Sequence, residues 1–211
     1  MQTIDLTTWE RTPYFKNYQN VDLPYIIVTA DLDITELYAH VKEEKLSLYF
    51  SLIYAATKRA DEILNFRYRF RKDEVFCLDR NVAFATHIQP GSDIFVEVEC
   101  DDYDSMDVFA RHNRKKADAP VSMDVLAGMH DRLDFINFST IPWISYSGFI
   151  RTIADFHGEC NPKMTFGKFR RENGRILIPF SCQTHHGLMD GLHVGRFYEN
   201  LQTWLSEKGW E

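Results

Sequence analysis

Three things are scarce in this sequence: excess positive charge, long apolar runs and paired cysteines. Lysine and arginine number 24 against 31 aspartates and glutamates, a formal net charge of -7. Nucleic-acid-binding surfaces are normally basic, so this balance argues against a nucleic-acid partner. No apolar stretch approaches the roughly 20 residues that a membrane-spanning helix needs. Residues 1–6 lack the charged start and apolar centre of a secretory signal. We therefore expect a cytoplasmic protein with no membrane partner.

The four cysteines are scattered along the chain and form no C-x-x-C motif: Cys77, Cys100, Cys160 and Cys182. This spacing favours reduced thiols over a disulfide framework or a zinc cluster. Repeats, low-complexity tracts and linkers are absent as well. With 211 residues, 45% of them hydrophobic, the chain is predicted to form a single domain over residues 1–211 with a sizeable core.

The apolar pattern switches repeatedly between the periods of strands and helices. Strands are predicted over 3–6, 24–30, 66–71, 74–78, 82–88, 94–100, 134–139, 143–149, 164–170 and 175–184. Of these, 24–30 is expected to be buried and 66–71 half-exposed. Helices are predicted after Pro13, from Asp33 or Thr35 to Val41, and over 46–64, 104–116 and 192–205. The turn signal Asn173–Gly174 predicts that the last two strands form a hairpin. This order indicates an α/β (α+β) fold, with a mixed β-sheet and helices packed on it.

The most informative stretch is 182–193, which contains the motif His-His-x-x-x-Asp-Gly. His185 and His186 end a predicted strand, and Asp190 stands where the following helix needs an N-cap. A histidine at a strand end is firmly held and open to a cleft, as a general base requires. The bland alternative is a structural histidine at the end of a strand.

Several motifs together resemble the chloramphenicol acetyltransferases. They are residues 183–196, Trp9–Arg11 with Phe15, Pro142–Ser145, Thr165–Phe169 and the turn 172–174, in the order expected of that family. The His-His motif alone also occurs in dihydrolipoamide acyltransferase cores and peptide-synthetase condensation domains, which share the fold. The short chain and the early Trp-x-Arg favour the acetyltransferases.

The resemblance implies a homotrimer with active sites between subunits, and direct transfer of acetyl from acetyl-CoA, a co-substrate, to a hydroxyl of a small-molecule acceptor. His186 would be the base, and Asp190 would pair with Arg11 to hold the loop of the base. Thr165 would help to hold a water near the transition state. Lys168 and Phe169 would contact the cofactor, Phe169 standing where many family members have tyrosine.

The residues by themselves leave alternatives. A catalytic His186–Asp190 dyad has the right spacing only on one helix, and Asp190 could simply be a helix cap. A metal site is not expected, because adjacent strand histidines point apart. His185 and His193 are predicted to be structural. Thr165 could be an ordinary β-branched strand residue. Lys168 could belong to a solvated hairpin with the three arginines Arg170, Arg171 and Arg175.

Gly148 departs from the family pattern. Members that modify chloramphenicol carry a serine at the matching position, whose hydroxyl donates to the developing oxyanion beside the cofactor. Losing one such donor typically costs ~10²–10³-fold in rate. Ser147 is adjacent, but strand alternation would turn it to the opposite face. Two functions therefore stay open: an O-acetyltransferase acting on chloramphenicol or another hydroxyl compound, and a protein that binds CoA or a ligand with little chemistry.

Overall fold

The computed structural model describes residues 1–119, 132–153 and 158–211. Its helices are α1 (Thr12–Tyr18), α2 (Thr35–Glu43), α3 (Leu48–Asp61), α4 (Met106–Asp118) and α5 (Gly191–Ser206). Its strands are β1 (Gln2–Thr3), β2 (Tyr25–Asp33), β3 (Tyr68–Arg71), β4 (Glu74–Cys77), β5 (Val82–Ile88), β6 (Phe95–Glu99), β7 (Phe135–Thr140), β8 (Lys163–Phe166), β9 (Arg170–Glu172) and β10 (Arg175–His185).

The strands form two sheets. The larger runs in the order β2-β10-β8-β7-β5-β6, with β9 paired to the start of β10. Strand β7 is parallel to β5 and β8, and the other neighbours are antiparallel, so this sheet is mixed. Strands β1, β4 and β3 form a separate antiparallel sheet. The long strand β10 is thus flanked by β2 and β8, the second and the eighth strands of the chain.

The two faces of the larger sheet differ in chemistry. Side chains alternate along β10, and those at positions 176, 178, 180 and 182 belong to the main apolar core, together with residues of α2, α3, α4 and α5. The opposite face carries Ser181, Gln183 and His185, all buried. Helices cover the apolar face, while the irregular segment 141–153 contacts the polar face.

Most of the predicted elements are confirmed. The mixed sheet with packed helices is present, and the bounds of α1, α4, α5, β5 and β7 agree with prediction to within two residues. Asn173 and Gly174 both have positive φ, 49° and 78°, as a tight hairpin turn between β9 and β10 requires. Ser47 caps α3 by accepting from the Phe50 N–H at 3.4 Å, so this helix begins later than predicted.

Three predictions were wrong. Residues 143–149 form no strand; the segment follows its own path over the sheet. The strand predicted over 24–30 exists as β2, but it lies at the sheet edge and is only half-buried because it has one neighbour. Residues 68–70 of β3 are buried rather than half-exposed. Arg69 is fully buried, and its guanidinium donates to Phe66 O, Tyr68 O and Phe135 O.

Candidate active site

His186 lies one residue beyond β10, in a tight loop that leads to α5. Its backbone N–H donates to Pro24 O at 2.7 Å, which ties the loop to the start of β2. Gly187 follows, and a Cβ there would stand 3.1 Å from the His185 ring and 3.3 Å from Phe15 Cα. Contacts this close leave little room for a side chain, so glycine permits the turn. The strand therefore delivers His186 to a fixed place.

The hydrogen bonds of His186 define its tautomer. Nδ1 lies 3.1 Å from Met189 O, and a carbonyl oxygen can only accept, so Nδ1 carries the proton in the neutral ring. Nε2 then keeps its lone pair and has no hydrogen-bond partner within the described residues. The ring stacks on Tyr18 with centroids 4.2 Å apart, and the side chain is 31% exposed. The arrangement presents an oriented nitrogen that can accept a proton.

Arg11 and Asp190 form a bidentate pair across this loop. Nη1 and Nη2 of Arg11 donate to the carboxylate oxygens at 2.8 and 2.9 Å, and Nη2 also donates to His186 O at 3.2 Å. The hydrogen bonds from Arg11 hold the pKa of Asp190 below its usual value. Oδ1 of Asp190 is 3.7 Å from Nδ1 of His186, beyond hydrogen-bond distance. The geometry is therefore that of an Arg–Asp clamp rather than of a His–Asp dyad.

The other two histidines of the motif have internal roles. His185 is 1% exposed, and its Nδ1 accepts from Gly187 N–H at 3.1 Å. Burial, and then the neighbouring His186, lowers the pKa of His185 to about 4. Nδ1 of His193 accepts from Asp190 N–H at 3.0 Å and so helps to cap α5. No group of three or more His, Cys, Asp or Glu side chains in the described part of the chain could hold a metal ion.

Gly148 sits in the segment 141–153, exposed to solvent in the single chain. A Cβ at this position would meet nothing within 4 Å. The segment is anchored by Tyr146, whose hydroxyl donates to Thr165 O at 2.5 Å. At Gly167, a Cβ would stand 2.8 Å from the Tyr146 ring and 2.6 Å from Pro179 Cγ, so only glycine lets the ring approach. Because 143–149 is not a strand, the alternation argument that turned Ser147 away no longer applies.

Thr165 belongs to a row of hydroxyl residues that crosses the polar face of the sheet. In the strand register, Ser181 lies opposite both Thr29 and Thr165, and Thr165 lies opposite Ser139. The Thr86 hydroxyl donates to Ser139 Oγ at 2.9 Å. Thr29 likewise bonds Ser181 at 3.0 Å. Oγ1 of Thr165 is buried without a hydrogen-bond partner. An unsatisfied buried hydroxyl is costly, so this atom is suited to hold a water or a substrate group.

A cavity of about 820 Å³ opens where β5, β7 and β8 end beside the first turns of α3. Lys168 and Phe169, the residues expected to contact a cofactor, both line it. Lys168 is exposed, whereas the Phe169 ring packs against Tyr38 with centroids 5.0 Å apart. An apolar cavity with a few polar groups on its wall is typical of ligand sites.

The expected site residues fall into two groups that one chain does not bring together. Arg11, His186 and Asp190 meet at the end of β10. Thr165 pairs with Ser181, five residues earlier on that strand, which corresponds to about 17 Å along an extended strand. Gly148, Lys168 and Phe169 lie with Thr165 around the segment 141–153 and the cavity. Each group has a defined geometry, but within one chain the two groups lie apart.

The sequence analysis missed four residues at these places. Tyr18 stacks on the base, and Tyr49, His87 and Arg151 line the cavity. Tyr18 lies in the aromatic stretch of α1, a signal too general to identify it. Arg151 comes directly after the apolar residues Phe149 and Ile150, and that charge was the available signal.

Comparison with known proteins explains the motif. A family model described as chloramphenicol acetyltransferase matches residues 1–202. The chain belongs to the chloramphenicol acetyltransferase family. It is therefore a member of a family of acetyltransferases that use acetyl-CoA.

Two named relatives match this chain over nearly its whole length. It is 32% identical to the chloramphenicol acetyltransferase of Clostridium perfringens, with 97% of this chain and 98% of the relative covered. It is 28% identical to chloramphenicol acetyltransferase 2 of Escherichia coli, with 94% of each covered.

Solved structures support the fold of this family member. A chloramphenicol acetyltransferase structure superposes with a TM-score of 0.86 at 24% identity, covering 97% of this chain and 99% of the other. The cubic core of the pyruvate dehydrogenase multienzyme complex superposes with a TM-score of 0.67 at 16% identity, covering 93% and 86%. None of the helices in the described ranges combines the length and apolarity needed to cross a membrane.

Proposed function

We propose that this protein transfers acetyl from acetyl-CoA to a hydroxyl of chloramphenicol or a similar small acceptor, with His186 as the general base. The observation that carries the proposal is the bond between His186 Nδ1 and Met189 O at 3.1 Å. It fixes the proton on Nδ1 and leaves Nε2 to accept one. A neutral hydroxyl is a poor nucleophile, so a positioned base is the element that this chemistry needs most.

One proton is transferred twice in the proposed reaction, first to His186 and then from it. Nε2 of His186 takes the proton of the acceptor hydroxyl while the hydroxyl oxygen attacks the thioester carbonyl carbon. The tetrahedral intermediate that forms collapses, the carbon–sulfur bond breaks, and the acetyl group stays on the acceptor oxygen. The imidazolium then returns the proton to the departing CoA thiolate. The base ends the cycle in its starting protonation state, and the proton of the acceptor hydroxyl ends on the CoA thiol.

Arg11 and Asp190 act in this proposal by positioning. Their bidentate pair, with the Arg11 bond to His186 O, holds the loop from both sides. Directional charge-assisted bonds restrict a loop more than isotropic packing does. A base displaced by about 1 Å can lose much of its rate, so the clamp supports the base without touching the substrate.

The residues around the cavity suit a CoA thioester and its acceptor. Phe169 and the apolar walls offer surface for the cofactor arm, and Lys168 stands exposed at the rim for its phosphates. The unpartnered Oγ1 of Thr165 offers a hydrogen bond to a water near the transition state. These residues would bind and orient the substrates, while His186 would handle the proton.

Because one chain separates the base from this cavity, we infer that the site is completed between subunits of a homotrimer. His186 of one subunit would then face the segment 141–153 of its neighbour. Large apolar side chains in that segment support the inference: Trp143, Ile144 and Ile150 are 66%, 59% and 61% exposed in the single chain. Such a patch is typical of a surface that another protein covers.

Subunit mixing tests base and assembly together. His186→Ala and the double variant Lys168→Glu with Phe169→Ala are each expected to be inactive, for different reasons. Co-expressed, they should regain activity, because about a quarter of randomly formed interfaces would pair an intact base with an intact cavity. CoA thiol release with chloramphenicol is the readout. Mixtures as inactive as their parents would show that the two groups do not share a site between subunits.

A second candidate function rests on Gly148. If no other group replaces the missing serine hydroxyl, the protein would bind CoA and ligands with weak chloramphenicol turnover, or act on a different hydroxyl acceptor. CoA-dependent thiol release screened across hydroxyl compounds separates the cases. Turnover of chloramphenicol supports the first function, turnover of other alcohols supports a changed acceptor, and CoA binding without any release supports the binding role.

A further inference from the structure

Arg151 is a charged residue of the cavity wall that the proposed mechanism leaves unused. It lies three residues after Gly148 and lines the 820 Å³ cavity. Its backbone N–H donates to Gln183 Oε1 at 3.1 Å, and Lys163 Nζ donates to the carbonyl of the next residue, Thr152. The segment is thus pinned to the sheet on either side of this arginine, so the arginine side chain starts from a fixed backbone.

The guanidinium itself is only partly satisfied. Nη1 donates to Asn137 O at 3.0 Å. Nε and Nη2 make no hydrogen bond within the described residues, and neither atom is buried. Both therefore keep accessible surface, and the residue lines the cavity. Nε–H and Nη2–H form the side-on fork with which an arginine binds both oxygens of one carboxylate.

The described residues supply no close anion to that fork. No carboxylate lies within 4.0 Å of Arg151 among the residues that the structure describes, although Glu97, on the cavity wall, and Glu159 act on it from farther away. Burial lowers the pKa of the guanidinium, but it remains a cation because its ordinary value is so high. A partly buried cation without a close anion is unfavourable, and an anionic ligand would relieve that cost.

The charge of the whole cavity points the same way. Its lining includes the cations Arg114, Arg151 and Lys168 and one carboxylate, Glu97, whereas the chain as a whole has a formal charge of -7. Arg114 is paired with Asp118 at 2.6 Å, and Lys168 lies exposed at the rim. Arg151 is therefore the inner cation that is left for a ligand.

We propose that Arg151 binds a carboxylate carried by one of the two substrates, either the hydroxyl acceptor or the acyl group of the CoA thioester. This inference rests on the proposed acyl transfer, but it changes the substrate class: the preferred acceptor or acyl group would carry a carboxylate, which chloramphenicol and the acetyl group lack. An acceptor of this kind is a hydroxy acid, and an acyl donor of this kind is a dicarboxylic acyl-CoA. In either case the chain favours an anionic substrate over a neutral one.

The test uses substrates that differ only in the charge. Aromatic hydroxy acids, among them mandelate and 3-phenyllactate, are compared with their methyl esters as acceptors, and succinyl-CoA is compared with acetyl-CoA as donor. Wild type, Arg151→Gln and Arg151→Lys are assayed. Arg80→Gln is the control, because it removes one charge from an exposed residue outside the cavity that is paired with Asp102.

Arg151→Gln should raise KM for the anionic member of the active pair about 10- to 100-fold, as expected for lost hydrogen bonds to a charged group. KM for the neutral member should stay unchanged, Arg151→Lys should recover part of the loss, and Arg80→Gln should match wild type. An effect confined to the hydroxy acids identifies the acceptor as the anion, and one confined to succinyl-CoA identifies the donor.

Equal losses on charged and neutral substrates would overturn the inference and leave Arg151 a structural anchor. So would a wild type that prefers the esters and acetyl-CoA. Calorimetric titration of the hydroxy acids and succinyl-CoA into the protein decides the matter independently of turnover. Absence of transfer to every acceptor would count against the proposed function, whereas carboxylate binding that Arg151→Gln abolishes would still support this inference.

Discussion

The loop that carries His186 and the segment that carries Gly148 differ in where their hydrogen bonds go. The hydrogen bonds that orient the loop are made within one chain: Pro24, Met189 and the Arg11–Asp190 pair hold it on every side. The segment 141–153 is fixed at a few points, through Tyr146 and Arg151, and exposes its apolar side chains.

This difference reflects the different tasks of the two regions. A proton acceptor must be oriented before any substrate arrives, so its surroundings are complete in the monomer. A wall that contacts substrates and a neighbouring subunit acquires its remaining contacts only on binding and assembly. Changes to the loop should therefore act through the proton transfer and stability, and changes to the segment through contacts to the substrates, the transition state and neighbouring subunits.

The largest effect should come from removing the base. His186→Ala is expected to lower kcat by about 10²- to 10⁴-fold, the usual contribution of general base catalysis. CoA affinity should not change, because the cavity lies at the other end of the site. Steady-state kinetics with a calorimetric titration of CoA check both parts. A variant as active as wild type would show that another group takes the proton.

A substitution in the segment 141–153 is expected to raise activity instead. Gly148→Ser adds a hydroxyl where a Cβ meets nothing within 4 Å, so the fold should accept it without strain. If an oxyanion donor is missing, kcat with chloramphenicol should rise, by at most ~10²–10³-fold, with little change in KM. Gly148→Ala is the matched control, since it adds the Cβ alone. Unchanged kcat in both variants would mean that Ser147, the backbone or a water already donates.

The loop should also control stability against acid. Since His185 has a folded pKa of about 4 and an unfolded value near 6.5, the unfolded chain binds the extra proton between these values. Stability should therefore fall as pH drops from about 6.5 to 4, by up to about 1.4 kcal/mol per pH unit from this group. His185→Gln should flatten that slope in urea titrations. The exposed His112→Gln is the control, and an identical slope in wild type and His185→Gln would refute the assignment.

The smallest effect should come from loosening the clamp. Arg11→Lys keeps the charge but cannot form the bidentate pair. Because Asp190 is 38% exposed, solvent reduces the loss of unfolding free energy to about 1 kcal/mol. A fall in kcat with KM unchanged is expected, since the His186 loop loses its orientation. A loss of stability with full activity would restrict the pair to a structural role.

Local chemistry made much of this molecule predictable. Asn173–Gly174 specifies its hairpin by turn geometry alone, and the apolar periodicity of 192–205 specifies α5. The position of Asp190 at the helix start follows from the same local rules. The Arg11–Asp190 contact joins residues far apart in the chain, and it was expected only from the family resemblance.

The errors arose where distant partners override local pattern. The alternation of 66–71 predicted arginines in solvent, but Arg69 finds carbonyl acceptors on two separate segments, 66–68 and 135, and Asn161 Oδ1 on a third at 2.9 Å. The apolar stretch 143–149 predicted a strand, but Tyr146 packs on Gly167 and commits the backbone to a different path. Neither partner is visible in a local window. Arg151 was missed for the same reason, since its role depends on a cavity formed by distant elements.

The place of β10 in the sheet also has a consequence for biosynthesis. This strand, residues 175–185, separates β2 from β8, yet it is the last strand to leave the ribosome. Until it emerges, β2 has no partner in the larger sheet and β8 has an open edge. Pairings between segments that are distant in sequence form slowly, and open edges favour aggregation meanwhile. The strand that leads into the His186 loop thus closes the larger sheet only late in synthesis.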